Sequence, residues 1–193
     1  MPGIDRLIWA RMGALGYGRA DLGLIVLTHA HMDHCGCLPA LLQGSGARLA
    51  AHPLAEGRLR GEPVPLPRAH RLHGRLTRLL FPLGRPWLAN PPLAVDLPLA
   101  DGAGLEEWGL PAGTLHTPGH SADSLTLLLE NGSAFVGDLL NARGSQACPQ
   151  PYFVEDAGAL AASVVRLRSQ RPRRIYTSDR QQPLALAPAV MCR

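Results

Sequence analysis

The sequence predicts an α/β domain in which short strands alternate with amphipathic helices. Aliphatic-rich runs recur at 22–27, 47–52, 93–97, 113–117, 125–129, 134–136 and 174–177, and most of them are bounded by Gly, Pro or Asp. Residues 4–16 and 156–169 place aliphatic side chains near a 3.6-residue period. With 193 residues, 46% of them hydrophobic, the chain can bury one sizeable core, so a single domain over 1–193 is expected.

The elements follow in order. Ile4, Leu7, Ile8, Met12 and Leu15 form a helical stripe that Gly16 and Gly18 end. Leu22 to Leu27 suits a strand buried on both faces, and it leads straight into Thr28-His29-Ala30-His31-Met32-Asp33-His34. A short helix over 38–43, a strand over 47–52 and a helix over 53–60 with Pro53 in its first turn come next. Repeated prolines break the stretch 62–92, which reads as an irregular Pro- and Arg-rich insert, although Leu72, Leu76, Leu79 and Leu80 make a helical stripe within it. Four strands with tight turns then lead to a helix over 156–169, for which Asp156 is the expected N-cap, and to a last strand at 174–177.

Composition narrows the function classes. All nineteen basic residues are Arg, and the net charge of +4 is spread along the chain apart from two Arg-rich stretches. Arg68, Arg71, Arg75 and Arg78 would line one face of a helix, which reads first as a solvated face and second as a lid for an anionic group. Charge of this size does not call for nucleic acid, which is not expected as a partner. No run approaches the roughly 18 apolar residues that span a bilayer, and the start has no basic segment followed by an apolar run, so a cytoplasmic protein without a membrane partner is expected. Cys35, Cys37, Cys148 and Cys192 lack disulfide-framework spacing and read as thiols.

The chemistry is concentrated at the end of the first strand. If the backbone stays extended, His29 and His31 point to one side and can share one ion. Asp33 and His34 add a carboxylate and an imidazole suited to a second divalent ion of the zinc, iron or manganese type. This H-x-H-x-D-H run resembles the motif of the metallo-β-lactamase superfamily. Two further segments carry the same resemblance. Thr117-Pro118-Gly119-His120-Ser121 is similar to the segment whose His completes the first metal site, and Phe135-Val136-Gly137-Asp138 is similar to the strand end whose carboxylate bridges two metals.

The resemblance runs from about residue 21 to 182 and implies an αββα metallo-β-lactamase sandwich. It implies a metal site of His29, His31, Asp33, His34, His120 and Asp138, filled by one or two zinc ions, with iron or manganese as alternatives. It also implies a hydrolase in which metal-activated water attacks a small ester, thioester or lactone-type substrate, with Asp33 orienting the nucleophile. Two departures stand out. Members close the second site with a His in a segment like I-Y-P-x-H-G, whereas Ile175-Tyr176-Thr177-Ser178-Asp179-Arg180 puts Asp179 at that place. Members also begin with strands carrying an Asp-x-Gly turn, which are missing here, so a sheet edge is left for a homo-oligomer or another partner to cover. These departures keep two other readings open: a degenerate member without turnover, and a mono-iron, oxygen-dependent enzyme of the same superfamily. Cys37 is expected as a small buried thiol, and His52, His70, His73 and His116, which lack ligand spacing to one another, as packing or supporting residues rather than ligands.

Overall fold

The structure, a computed structural model, describes residues 3–62, 68–69, 92–149 and 153–186. Its elements in chain order are α1 (Ile4–Ala14), β1 (Leu24–Val26), α2 (Met32–Cys35), α3 (Leu38–Ser45), β2 (Arg48–Ala51), α4 (Ala55–Leu59), β3 (Arg68–Ala69) and β4 (Leu97–Pro98). After these come β5 (Ala112–His116), β6 (Leu125–Leu129), β7 (Ser133–Gly137), β8 (Asn141–Arg143), β9 (Gln146–Cys148), β10 (Phe153–Val154), α5 (Ala157–Ser169), β11 (Arg174–Thr177) and β12 (Ala185–Leu186).

Alternation along the strands sorts these elements into four layers. Leu49 and Ala51 of β2 pack with Leu38, Ala55 and Leu59 of α3 and α4, while Ala50, on the opposite face, packs with Ala112 and Leu125 of the second sheet. On that second sheet Leu115, Ala134, Val136 and Ile175 face Leu160, Val164 and Leu167 of α5. The order is therefore helix, sheet, sheet, helix, the αββα sandwich expected from the sequence. The first sheet is parallel in the order β1-β2-β4. The second runs β11-β7-β6-β5, with β11 parallel to β7 and the other pairs antiparallel. Two smaller sheets, β12-β9-β8 and β10-β3, complete the described strands.

Four expectations need correction. The run 22–27 is not buried on both faces: Leu24, Ile25 and Val26 are only partly buried, because among the described residues β1 pairs on one side only, with β2. The strand expected at 93–97 shrinks to Leu97–Pro98, with Leu93 and Val95 packing as loop residues against the α3 and α4 side. Cys35 and Cys37 are thiols outside any disulfide, as expected, but Cys148 lies in a disulfide. Arg68 and Ala69, expected to begin a helix, instead form β3, which pairs antiparallel with β10, and the rest of the Arg and Leu stripes, with His70 and His73, lies outside the described residues. The helix over 156–169 forms as expected, and the Asp156 carboxylate accepts the Ala159 N–H at 2.9 Å. No described helix is long and apolar enough to cross a membrane.

Candidate metal centre

Three chain segments deliver the candidate ligands to one place. The first leaves β1 with its ladder extended by one bond, from the Leu27 N–H to the Ala50 carbonyl. Thr28 accepts the Leu125 N–H at 2.7 Å, and the Ala30 N–H donates to Asp123 Oδ2 at 2.7 Å, so the backbone on both sides of His29 is tied to the second sheet and its loop. His31 remains extended, with φ −82° and ψ 150°, and α2 starts immediately after it, placing Asp33 and His34 on one helical turn. The expectation of an extended run therefore holds at His31, although no strand continues there.

The second segment is the loop between β5 and β6. Thr117 donates its N–H to the Ser124 carbonyl, and the Ser121 and Ser124 hydroxyls pair at 2.8 Å, closing a tight loop around His120. Pro118 accepts the Ser163 hydroxyl at 2.7 Å, which rests the loop on α5. Gly119 meets the backbone there: its φ is 136°, and a Cβ at that position would lie 2.3 Å from Leu160 Cα, so only glycine fits. The third segment is the end of β7, where Gly137 bends the chain so that Asp138 enters the cluster.

The resulting geometry has two lobes sharing His29. Ligand atoms of His29, His31 and His120 lie within 4.8 Å of one another, and so do those of His29, His34 and Asp138. Asp138 sits between the lobes, with Oδ1 3.4 Å from His34 Nε2 and Oδ2 3.5 Å from His120 Nε2. His120 Nε2 and His31 Nδ1 face each other at 2.9 Å. His29 and His120 are almost fully buried.

The electrostatics favour a cation. Burial, followed by the neighbouring imidazoles, holds His29 well below its ordinary value. Burial and then His120 lower His31 to about 4. Both rings are therefore neutral at pH 7, with lone pairs free to ligate. Burial opposes ionisation of Asp138, but the His34 hydrogen bond, His29 and the Ser178 hydroxyl hold its carboxyl well below the usual range. Burial likewise opposes the charged form of His34, yet its hydrogen bond and attraction to Asp138 raise it.

One atom tests directly whether a metal fits. Thr28 Oγ1 lies 3.3 Å from His29 Nδ1, which leaves Nε2 to face the cluster. That Nε2 is buried without a hydrogen-bond partner among the described residues. A buried orphan of this kind is costly unless something else satisfies it. A tetrahedral ion with metal–nitrogen bonds of about 2.0–2.1 Å spaces its ligands roughly 3.3 Å apart, which the cluster can meet with small side-chain adjustments. The residues present fit a divalent ion.

The remaining sequence candidates fall in different places. The Asp33 carboxylate is 3.7 Å from His34 Nε2, but its side chain is 53% exposed and it joins neither lobe. Both Asp179 carboxylate oxygens accept the Ala142 N–H, at 3.1 and 2.9 Å, and Asp179 is likewise outside both lobes. Its neighbour Ser178 donates its hydroxyl to Asp138 Oδ1 instead. Cys35 is fully buried and burial pushes its thiol up to about 12, while Cys37 is half-buried and outside both lobes. His52 and His116 stack at 4.0 Å behind the β5–β6 loop, where His116 Nε2 lies 2.8 Å from the Ala122 carbonyl oxygen. Sequence reasoning missed Ser178 and the buried ion pairs of Arg58 with Asp123 and Glu155. No local spacing marks them.

The family model of the metallo-β-lactamase superfamily matches residues 2–179. The chain belongs to that superfamily. This member is 27% identical over 166 residues to an atrochrysone carboxyl ACP thioesterase of Claviceps purpurea, covering 84% of this chain and 40% of the relative. It is 33% identical over 129 residues to a hydroxyacylglutathione hydrolase of Cupriavidus taiwanensis, covering 64% and 38%. The chain thus spans about two fifths of the length of these curated relatives. Among solved structures it is similar to the metallo-beta-lactamase family protein TTHA1429 of Thermus thermophilus, with TM-score 0.69 and 27% identity over 96% of this chain and 63% of that one. It is also similar to TTHA1623 in a di-iron-bound form, with TM-score 0.66 and 28% identity over 99% of this chain and 85% of that one.

Proposed function

We propose that this superfamily member is a metal-dependent hydrolase that directs an activated water at a small ester, thioester or lactone-type substrate. The observation that carries the reading is the buried His29 Nε2, without a hydrogen-bond partner among the described residues, facing a cluster assembled from three separate chain segments. The names of two relatives, a thioesterase and a hydroxyacylglutathione hydrolase, support thioesters within that range.

In this reading His29, His31 and His120, with Asp138, hold one ion. A second ion would be held by His34 and Asp138 with Asp33, and Asp179 would join it only if its carboxylate left Ala142. Zinc is the metal we expect, with iron and manganese as alternatives. A divalent ion there would supply Lewis acidity that lowers the pKa of a bound water to near neutrality. Asp33, the solvent-open carboxylate beside the cluster, would orient the attacking water and accept its proton. The thiols do not compete as nucleophiles: burial keeps both Cys35 and Cys37 protonated at neutral pH.

The test combines metal content with turnover of an acyl-glutathione thioester, an aryl ester and a lactone. The reading predicts at least one divalent ion per chain and hydrolysis that a chelator abolishes and added metal restores. Bound metal without turnover of any of the three would favour the degenerate reading. One iron per chain with oxygen uptake would favour the oxygen-dependent one.

A further inference from the structure

We infer that Arg58, Asp123 and Glu155 form a buried charge clamp that positions the two histidine-bearing loops and tunes their affinity for a metal ion. The inference rests on the metal reading above but uses residues outside the cluster.

The clamp is built from three elements. Arg58 projects from α4, and its Nε lies 3.2 Å from Asp123 Oδ1. Its Nη2 donates to both oxygens of Glu155, at 2.8 and 2.9 Å. Asp123 is completely buried and the Arg58 side chain is only 11% exposed, so this is not a solvent-screened surface pair.

What the clamp grips is specific. The second Asp123 oxygen accepts the N–H of Ala30, the one residue between His29 and His31. Glu155 Oε2 accepts the N–H of Ala122, two residues beyond His120, and the Glu155 N–H points to the carbonyls of Gly119 and His120 at 2.9 and 3.3 Å. One guanidinium therefore locks both loops that supply the first lobe, and each peptide it reaches through its two carboxylates is within two residues of a candidate ligand. A shift of either loop would separate His120 from His31.

Charge adds to position. Two carboxylates against one guanidinium leave one net negative charge behind the loops, which favours a cation in front of them. Groups of this kind, which hold the ligands without touching the ion, commonly change metal affinity by about 10–100-fold when altered.

The test is cobalt(II) titration of the full chain with competing chelator, read as a dissociation constant and as the ligand-field absorption spectrum. Melting of the metal-free protein is followed in parallel. Arg58→Lys keeps the charge but loses the two-pronged geometry, and Glu155→Gln keeps an acceptor for the Ala122 N–H. Arg60→Ala, whose arginine pairs with Glu56 at the exposed end of the same helix, is the control. The clamp predicts at least about tenfold weaker cobalt binding and an altered spectrum for Arg58→Lys, a smaller loss for Glu155→Gln and none for Arg60→Ala. A purely structural ion pair would lower the melting temperature and leave the folded protein's affinity and spectrum unchanged, and that result overturns the inference. If Arg58→Lys does not fold, Glu155→Gln decides by the same criterion. If the wild-type chain takes up no cobalt, the metal reading itself fails and the inference falls with it.

Discussion

Gly137 and Thr28 approach so closely that a Cβ on Gly137 would lie 2.7 Å from Thr28 Oγ1 and 3.4 Å from His29 Nδ1. The same glycine has φ 53°, in the left-handed region that side chains disfavour. Close contact and backbone geometry thus combine at the residue that turns β7 into Asp138. Gly137→Ala should cost about 1–3 kcal/mol of stability and displace His29 or Asp138, weakening metal binding more than the stability loss alone explains. Chemical denaturation and metal titration of the same sample check this; wild-type affinity in a destabilised variant would show that the approach matters only for folding.

Asp138 and Asp179 should behave differently although both are carboxylates near the carboxyl ends of adjacent strands. Asp138 lies between two imidazoles, whereas Asp179 is bound to the Ala142 N–H. Asp138→Asn should lower metal content per chain. Asp179→Asn, whose amide oxygen can still accept from Ala142, should leave metal content unchanged and cost no more than about 1 kcal/mol. Loss of an ion from Asp179→Asn would mean that its carboxylate swings into the cluster when metal is present.

The buried histidines make the metal-free protein sensitive to acid. Burial and His120 lower His31 from 6.5 to about 4, and burial lowers His29 in the same direction. Between those values the unfolded chain binds more protons than the folded one, so stability rises with pH across the window and is lost as pH falls from 6.5 toward 4. Asp138, held low chiefly by its hydrogen bond from His34 against the opposing effect of burial, loses its contribution only below the ordinary carboxylate value of 3.8. His34 works in reverse: despite burial, Asp138 raises it, so its contribution is present in acid and fades as pH climbs through its folded value. Two lowered histidines outweigh one raised one, and the urea-unfolding free energy should fall by on the order of 2 kcal/mol between about pH 7 and pH 5. A value that holds or rises over that interval contradicts this balance.

The candidate cluster was legible because His29, His31 and His34 lie within six residues, and because His120 and Asp138 each sit in a short segment of recognisable composition, whereas Asp33 of the same run joins neither lobe. The helices at 4–16 and 156–169 were legible from periodicity, and the second of them also from its cap. What could not be read is what depends on tertiary placement. The partial burial of β1 follows from its edge position, which the composition of the run 22–27 does not encode. Ser178 and Asp179 are neighbours whose side chains reach different partners, Asp138 and Ala142, so matching a motif position could not tell which of them enters the cluster. Arg58, Asp123 and Glu155 come from distant parts of the chain, and only the folded structure brings them together.

The central claim is that His29, His31 and His120 surround one ion. X-ray absorption at the metal edge of the zinc-loaded protein, compared between wild type and His29→Ala, tests it most directly. The account predicts a first shell with about three imidazole nitrogens at roughly 2.0–2.1 Å, and one fewer in the variant. A shell dominated by sulfur, or one that does not change when His29 is removed, would place the ion elsewhere and contradict the account.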